Sequence, residues 1–180
     1  MGSLEIKIYP APCLRIKTKP VKDFNSDLKS TLRSMAEMMY IGQGIGLAAP
    51  QVGLDSSMLV IDIGEGLVNL VNPVIIESSR DKSATEEGCL SLPGIQVKVA
   101  RPNTVKVRAQ NEEGKLFEKN FSGLYARVVQ HEMDHLDGKL IIDYLDPLRY
   151  FIYTKKLVSG KIKNTLKNCE VTCDIGKRSK

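Results

Sequence analysis

The 180-residue sequence predicts a single α+β domain in which a central helix is packed by mostly antiparallel β-sheet, with one helix before the sheet and one after it. Three observations carry that expectation, and two are patterns: apolar residues recur with a helical period in three separate stretches, and the chain between the first two breaks into short, alternating β-type runs. The third is composition, because 42% hydrophobic and 26% charged residues suit one well-cored globular domain.

In chain order, an extended opening leads to "DFNSDLKSTLRSMAEMMYIGQG", where Leu28, Leu32, Met35 and Met39 fall at i, i+4, i+7 and i+11 and Gly42 and Gly44 end the run. This is an amphipathic helix of about four turns. Its Met-bearing stripe reads as core packing. From Met58 to Phe121 the segments "MLVIDI", "LVNLVNPVII", "IQVKVA", "TVKVRAQ" and "KLFEKNF" are separated by Gly, Pro and Asn. "QNEEGK" between the last two reads as a hairpin turn. The 3.6-residue period returns at Gly123, placing Leu124, Val128, His131 and His135 on one face. A third helix follows Pro147 through "LRYFIYTKKLV", with Gly160 as its stop. No internal repeat or low-complexity block divides the chain.

The charge of +5 is unevenly placed. From Lys155 onward eight basic residues face only Glu170 and Asp174, a net +6, so the preceding 154 residues sum to −1. We therefore expect a nearly neutral domain over residues 1–160 and a basic C-terminal tail over 161–180. No run approaches the ~18 apolar residues of a membrane helix, and "MGSLEIKIYP" has no apolar signal core, so no membrane partner is expected. Four cysteines without a secretory signal point to a reducing compartment rather than a disulfide framework, and Cys169 and Cys173 read as tail thiols.

The chemistry concentrates in "QHEMDHL", residues 130–136, which holds the only two histidines of the chain. At i and i+4 on a helix the imidazoles of His131 and His135 lie one turn apart on one face, close enough to share an ion. Glu132 sits beside the first of them, as the general base does in H-E-x-x-H hydrolases. The bland alternative is that two histidines and two acids decorate a solvated helix. Two ligands are too few for a metal site, so a third must come from elsewhere. "EEGCLSLPG" offers Cys89, either a small buried hydrophobe or a thiolate ligand. Three protein ligands would leave one position open, as catalytic sites do. "GQGIGLAAPQVG" lacks the G-x-G-x-x-G fingerprint. Its glycines admit close backbone approach, Gln51 offers an amide to a developing oxyanion, and an ordinary glycine-rich loop is the competing reading.

Taken together, "GIGLAAPQ" (residues 44–51), "EGCLS" (87–91) and "HEMDH" (131–135) resemble, in order and spacing, the three signature motifs of peptide deformylases. "IYPAPCLR", "RPNTVKVRA" and "HLDGKLIIDYLDP" are similar to that family's flanking stretches, and the resemblance covers about residues 5–158. Ala11 departs from it, since an acidic residue is common there.

The resemblance implies hydrolysis of the N-formyl group from the initiator methionine of nascent peptides, with release of formate. It implies Cys89, His131 and His135 as ligands of one divalent metal ion, generally Fe(II), with Zn, Ni or Co as substitutes. It further implies Glu132 as general base and acid, with the Gln51 amide and the Leu90 backbone N–H meeting the oxyanion. The substrate would add as a strand along Gly44, Ile45, Gly46 and Leu47. Leu124 and Val128 are the apolar walls for the methionine, Ile45 is a further candidate, and Arg127 lies nearly on the same face without an assigned role. Bacterial members dock on ribosomes through their C-terminal helix, which makes the basic tail a candidate ribosome contact rather than a DNA-binding element. The compartment expected is the bacterial cytoplasm or, in preference, a plastid or mitochondrion. Two rivals remain: a zinc peptidase of the H-E-x-x-H class, which needs a third ligand downstream, and a non-enzymatic zinc-stabilised binding module, which needs a fourth ligand closing the site.

Overall fold

A computed structural model describes residues 4–159, so the tail at 161–180, the expected helix stop at Gly160, Cys169 and Cys173 all lie outside the described residues. The first helix, α1 (Ser26–Ile41), begins where Asn25 accepts hydrogen bonds from the backbone N–H groups of Asp27 and Leu28 at 3.0 and 3.1 Å. Its apolar stripe is buried as expected, with Leu32, Met35, Met38 and Met39 fully enclosed.

Seven strands follow: β1 (Gly46–Ala48), β2 (Met58–Ile61), β3 (Val68–Ser78), β4 (Lys82–Gly88), β5 (Gln96–Pro102), β6 (Thr104–Gln110) and β7 (Leu116–Ser122). They form a five-stranded sheet in the order β1-β2-β3-β6-β7 and a separate β4–β5 hairpin, and every pairing is antiparallel. The continuous apolar run of β2 has a simple cause, since Leu59 and Ile61 face one core cluster while Met58 and Val60 face another. In β6 the alternation is instead one-sided, with Val105, Val107 and Ala109 inward. The expected turn between the last two strands is present, closed by Asn111 N–H to Lys115 O at 3.0 Å.

The second helix, α2 (Gly123–Leu136), lies between the five-stranded sheet and the hairpin. It packs Ala126 and Val129 into the sheet-side core, and it ends at Gly138, whose φ of 73° suits glycine. A methyl group there would meet the Arg15 backbone at 2.8 Å. The third helix, α3 (Pro147–Val158), starts with Pro147 in its first turn and the Asp146 side chain capping Arg149 N–H at 3.0 Å. No helix among the described residues is long and apolar enough to cross a membrane.

Two strands were not foreseen. β1 is three residues long inside a glycine-rich run, and β4, "KSATEEG", is exposed at all but one position, so neither presents a hydrophobic alternation. Pairing with β2 and β5 makes them strands.

Candidate metal centre

The two histidines stand where the helical spacing put them. Both are buried on α2, their ring centroids 5.1 Å apart and their planes 72° to one another. Cys89 enters from the turn that follows β4, and its Sγ lies 3.3 Å from His135 Nε2. One ligand atom from each of Cys89, His131 and His135 lies within 4.8 Å of the others. That spacing and donor chemistry fit a tetrahedral ion of the zinc or ferrous type. Among the described residues the cluster comprises these three side chains, which leaves a coordination position open and disfavours the closed site of a structural zinc module.

A carboxylate sets the orientation of the first histidine. His131 Nδ1 is 3.0 Å from Glu87 Oε2, which turns Nε2 toward the cluster and fixes the tautomer. Glu87 also accepts from Arg101 Nε and Nη2 at 2.7 and 2.9 Å and from Arg127 Nη1 at 2.7 Å. Burial alone would raise the pKa of that carboxyl, yet the hydrogen bonds from His131 and Arg101 outweigh it and hold it at about 2. His135 moves the other way. Buried and beside His131, it is pushed well below the ordinary histidine value, whereas for His131 the effect of burial is outweighed by hydrogen bonds to Cys89 and Glu87, which raise it.

Glu132 lies against the other wall of the site. It is buried, one carboxylate oxygen (Oε2) has no hydrogen-bond partner among the described residues, and the other faces β1 so closely that a methyl group on Gly46 would sit 2.5 Å from it. Burial pushes its pKa up to about 7, the range in which a carboxylate can both take and return a proton near neutrality. An unpartnered buried oxygen calls for a proton-bearing partner in the site. Gln51 is oriented from behind: its Oε1 accepts the Ala48 N–H at 2.7 Å, so the amide nitrogen points into the site, 3.5 Å from Cys89 Sγ.

These groups border a cleft of about 770 Å³. Of the residues expected to bind substrate, Gly44, Ile45, Gly46, Leu124 and Val128 line it, as does Leu90, the expected oxyanion donor. Leu47 does not; its side chain is fully buried in the α1-side core, so only its backbone belongs to the strand edge. The walls are also unequal, since Val128 is buried while Leu124 is 53% exposed at the rim. β1 pairs with β2 alone, and Ile45 O accepts from Asp62 N–H at 3.0 Å. By the alternation of antiparallel pairing, the N–H and C=O of Gly46 therefore face the free edge.

Sequence reasoning missed Glu87, Arg101 and the Asp134–Tyr144 pair that Arg101 also joins, with Arg101 Nη1 2.9 Å from Asp134 and Tyr144 Oη 2.8 Å from the same carboxylate. A signal existed for Glu87, which stands two residues before Cys89 on a strand's end and so on the same side. Arg127, one helical turn before His131, reaches Glu87 rather than lining the apolar wall freely.

Comparison with known proteins agrees with this geometry. The family model described as polypeptide deformylase matches residues 3–150. A peptide deformylase of Thermotoga maritima is 44% identical over 153 residues, covering 85% of this chain and 93% of the relative. The crystal structure of a Thermotoga maritima peptide deformylase superposes with a TM-score of 0.79 at 44% identity, over 82% of this chain and all of that one. A peptide deformylase structure from Legionella pneumophila gives 0.82 at 40% identity, over 88% and 95%.

Proposed function

This chain belongs to the polypeptide deformylase family, and we propose that it removes the formyl group from the N-terminal methionine of new polypeptides with Glu132 as its proton carrier. The observation that carries the assignment of roles is the convergence of Cys89, His131 and His135 beside a buried, half-partnered Glu132 at a cleft with a free strand edge. A divalent ion held by those three side chains supplies Lewis acidity toward water and the formyl carbonyl. Every other part is played by the chain itself.

The peptide lies along Gly44–Gly46, its backbone pairing with the free N–H and C=O of Gly46, and its methionine side chain rests against Val128 with Ile45 and Leu124 at the mouth. Glu132 takes the proton of the attacking water and returns it to the amine as the C–N bond breaks, so that formate and a free amino terminus leave. The Gln51 amide, locked by Ala48, donates to the oxyanion that forms in between, together with the Leu90 N–H. Both are preorganised donors whose loss costs typically ~10²–10³ in rate.

One thiolate and two neutral imidazoles leave a divalent ion with a net +1, and soft sulfur suits Fe(II) as well as Zn(II). We assign Fe(II) as the ion in the cell, with Zn, Ni or Co able to replace it. The +6 of residues 155–180 supports a further contact with ribosomal RNA. Lys155 and Lys156 are the described part of it.

The test is formate release from formyl-Met-Ala-Ser by the metal-loaded protein, followed by chelation and metal restoration. Release that stops with the chelator and returns with the ion is expected. Cleavage of internal peptide bonds without formate would instead indicate a peptidase, and metal binding without any hydrolysis a binding module.

A further inference from the structure

The three ligands do not come from one rigid unit. His131 and His135 ride on α2, whereas Cys89 is the first residue after β4, in a hairpin that shares no sheet ladder with the five-stranded sheet. Something other than strand pairing must fix the distance between them. Leu92, Ile95, Val97 and Val99 pack the hairpin on the residue 140–142 turn and Leu14, with Cys89 against the same cluster, which joins the hairpin to those segments and not to α2.

We propose that Arg127 is a positioning residue that docks the β4–β5 hairpin onto α2 and so sets where Cys89 stands relative to the two histidines. The inference rests on the metal-centre reading above. Arg127 is 12% exposed and sends its guanidinium entirely into the hairpin: Nη1 donates to Glu87 Oε1 at 2.7 Å and to Val99 O at 2.9 Å, and Nη2 to Ser83 O at 2.8 Å and Ser83 Oγ at 2.9 Å. It thus holds both strands, β4 at its start through Ser83 and at its end through Glu87, and β5 through Val99. Two of the acceptors are backbone carbonyls, so the grip fixes main chain. Arg101 forms the reciprocal strap, leaving β5 to reach Asp134 on α2, and the two straps meet on Glu87. Arg101 and His131 already satisfy the Glu87 carboxylate by themselves, so Arg127 is not needed to neutralise it. What Arg127 alone supplies is the pair of contacts to Ser83 and Val99. A planar fork with several fixed donors can do this, and a single ammonium cannot.

The experiment compares wild type with Arg127→Met and Arg127→Lys in the full chain, using Zn(II) competition against a chromogenic chelator and amide hydrogen exchange of the metal-free protein. Both variants are expected to bind Zn(II) ~10–100-fold more weakly, the usual cost of losing an outer partner of a metal site. Exchange should rise in β4 and β5 while β3 and β6 keep their protection. Arg127→Lys tests the fork directly: if lysine restores both metal affinity and hairpin protection, charge is the agent and the docking role is overturned. Affinity within twofold of wild type in both variants also overturns it, as does a uniform rise in exchange across all strands. Failure of wild type to bind Zn(II) would instead remove the metal-centre reading beneath it.

Discussion

The two sides of the β1–β2 ribbon are built from different materials. On the α1 side, Leu28, Leu32, Met35, Met38 and Met39 meet Leu47, Met58, Val60 and Val71, and Ser34 is the single buried polar residue of that region among the described residues. On the α2 side the other eight buried polar residues gather: Gln51, Glu87, Ser91, Arg101, Gln130, His131, Glu132 and His135. The first side is held by many small, interchangeable contacts, so a lost side chain costs in proportion to its volume. The second adds to the apolar cluster that α2 shares with the sheet a set of paired charges in a dry setting, where each group is useful only while its partners remain. Damage should therefore show up as lost stability on one side and lost chemistry on the other.

The sharpest test of that contrast is Glu132→Gln. The amide keeps the shape and cannot carry the proton, so kcat for formate release should fall ~10²–10⁴-fold while Zn(II) binding and the folded spectrum persist. Near wild-type turnover would end the role given to Glu132. On the opposite side Leu32→Ala should lower stability by ~2–5 kcal/mol in denaturant titrations, because Leu32 is fully enclosed. Its turnover per folded molecule should be unchanged. A large kinetic defect in that variant would mean the two sides are coupled.

Acid separates them by another route. Glu87 is held at about 2 in the folded protein against an ordinary 4.5, so its stabilisation is fully present above pH 4.5 and is lost as pH falls from there toward 2. Stability of the metal-free protein should drop steeply across that window. In Glu87→Gln that part of the slope should vanish, because no proton is left to bind. An unchanged slope would show that the Glu87 network adds nothing to the acid limb.

The same contrast explains what could be read in advance. Period and alternation reveal elements that bury apolar faces, so α1, α2, β2 and β6 were legible from residues such as Leu28, Leu32, Val105 and Val107. The histidine spacing, with Cys89 and Gln51 in two glycine-bearing stretches, picked out side chains that the fold brings together at one cleft. β4 was not legible, because its residues face solvent and its form is dictated by register with β5, Glu87 opposite Val97. Arg127 and Arg101 were not legible either. Their partners lie between 14 and 44 residues away in sequence, and charge pairing at that range leaves no periodic trace.

The smallest effect expected is on the apolar side, at the start of α1. Asn25 satisfies two of the helix's otherwise unpaired N–H groups through one side-chain oxygen, at 3.0 Å to Asp27 and 3.1 Å to Leu28. Asn25→Ala removes that acceptor without opening a cavity, so the loss should be ~1 kcal/mol, near the middle of the range for exposed caps. The first turn of α1 also carries Leu28, whose side chain packs in the same core as Leu47, the residue after Gly46 on the proposed substrate edge. If the two sides are energetically separate, fraying this turn leaves KM for the formyl peptide unchanged while the denaturation midpoint falls. A raised KM in Asn25→Ala, at full metal occupancy, would show instead that α1 braces the strand on which the peptide lies.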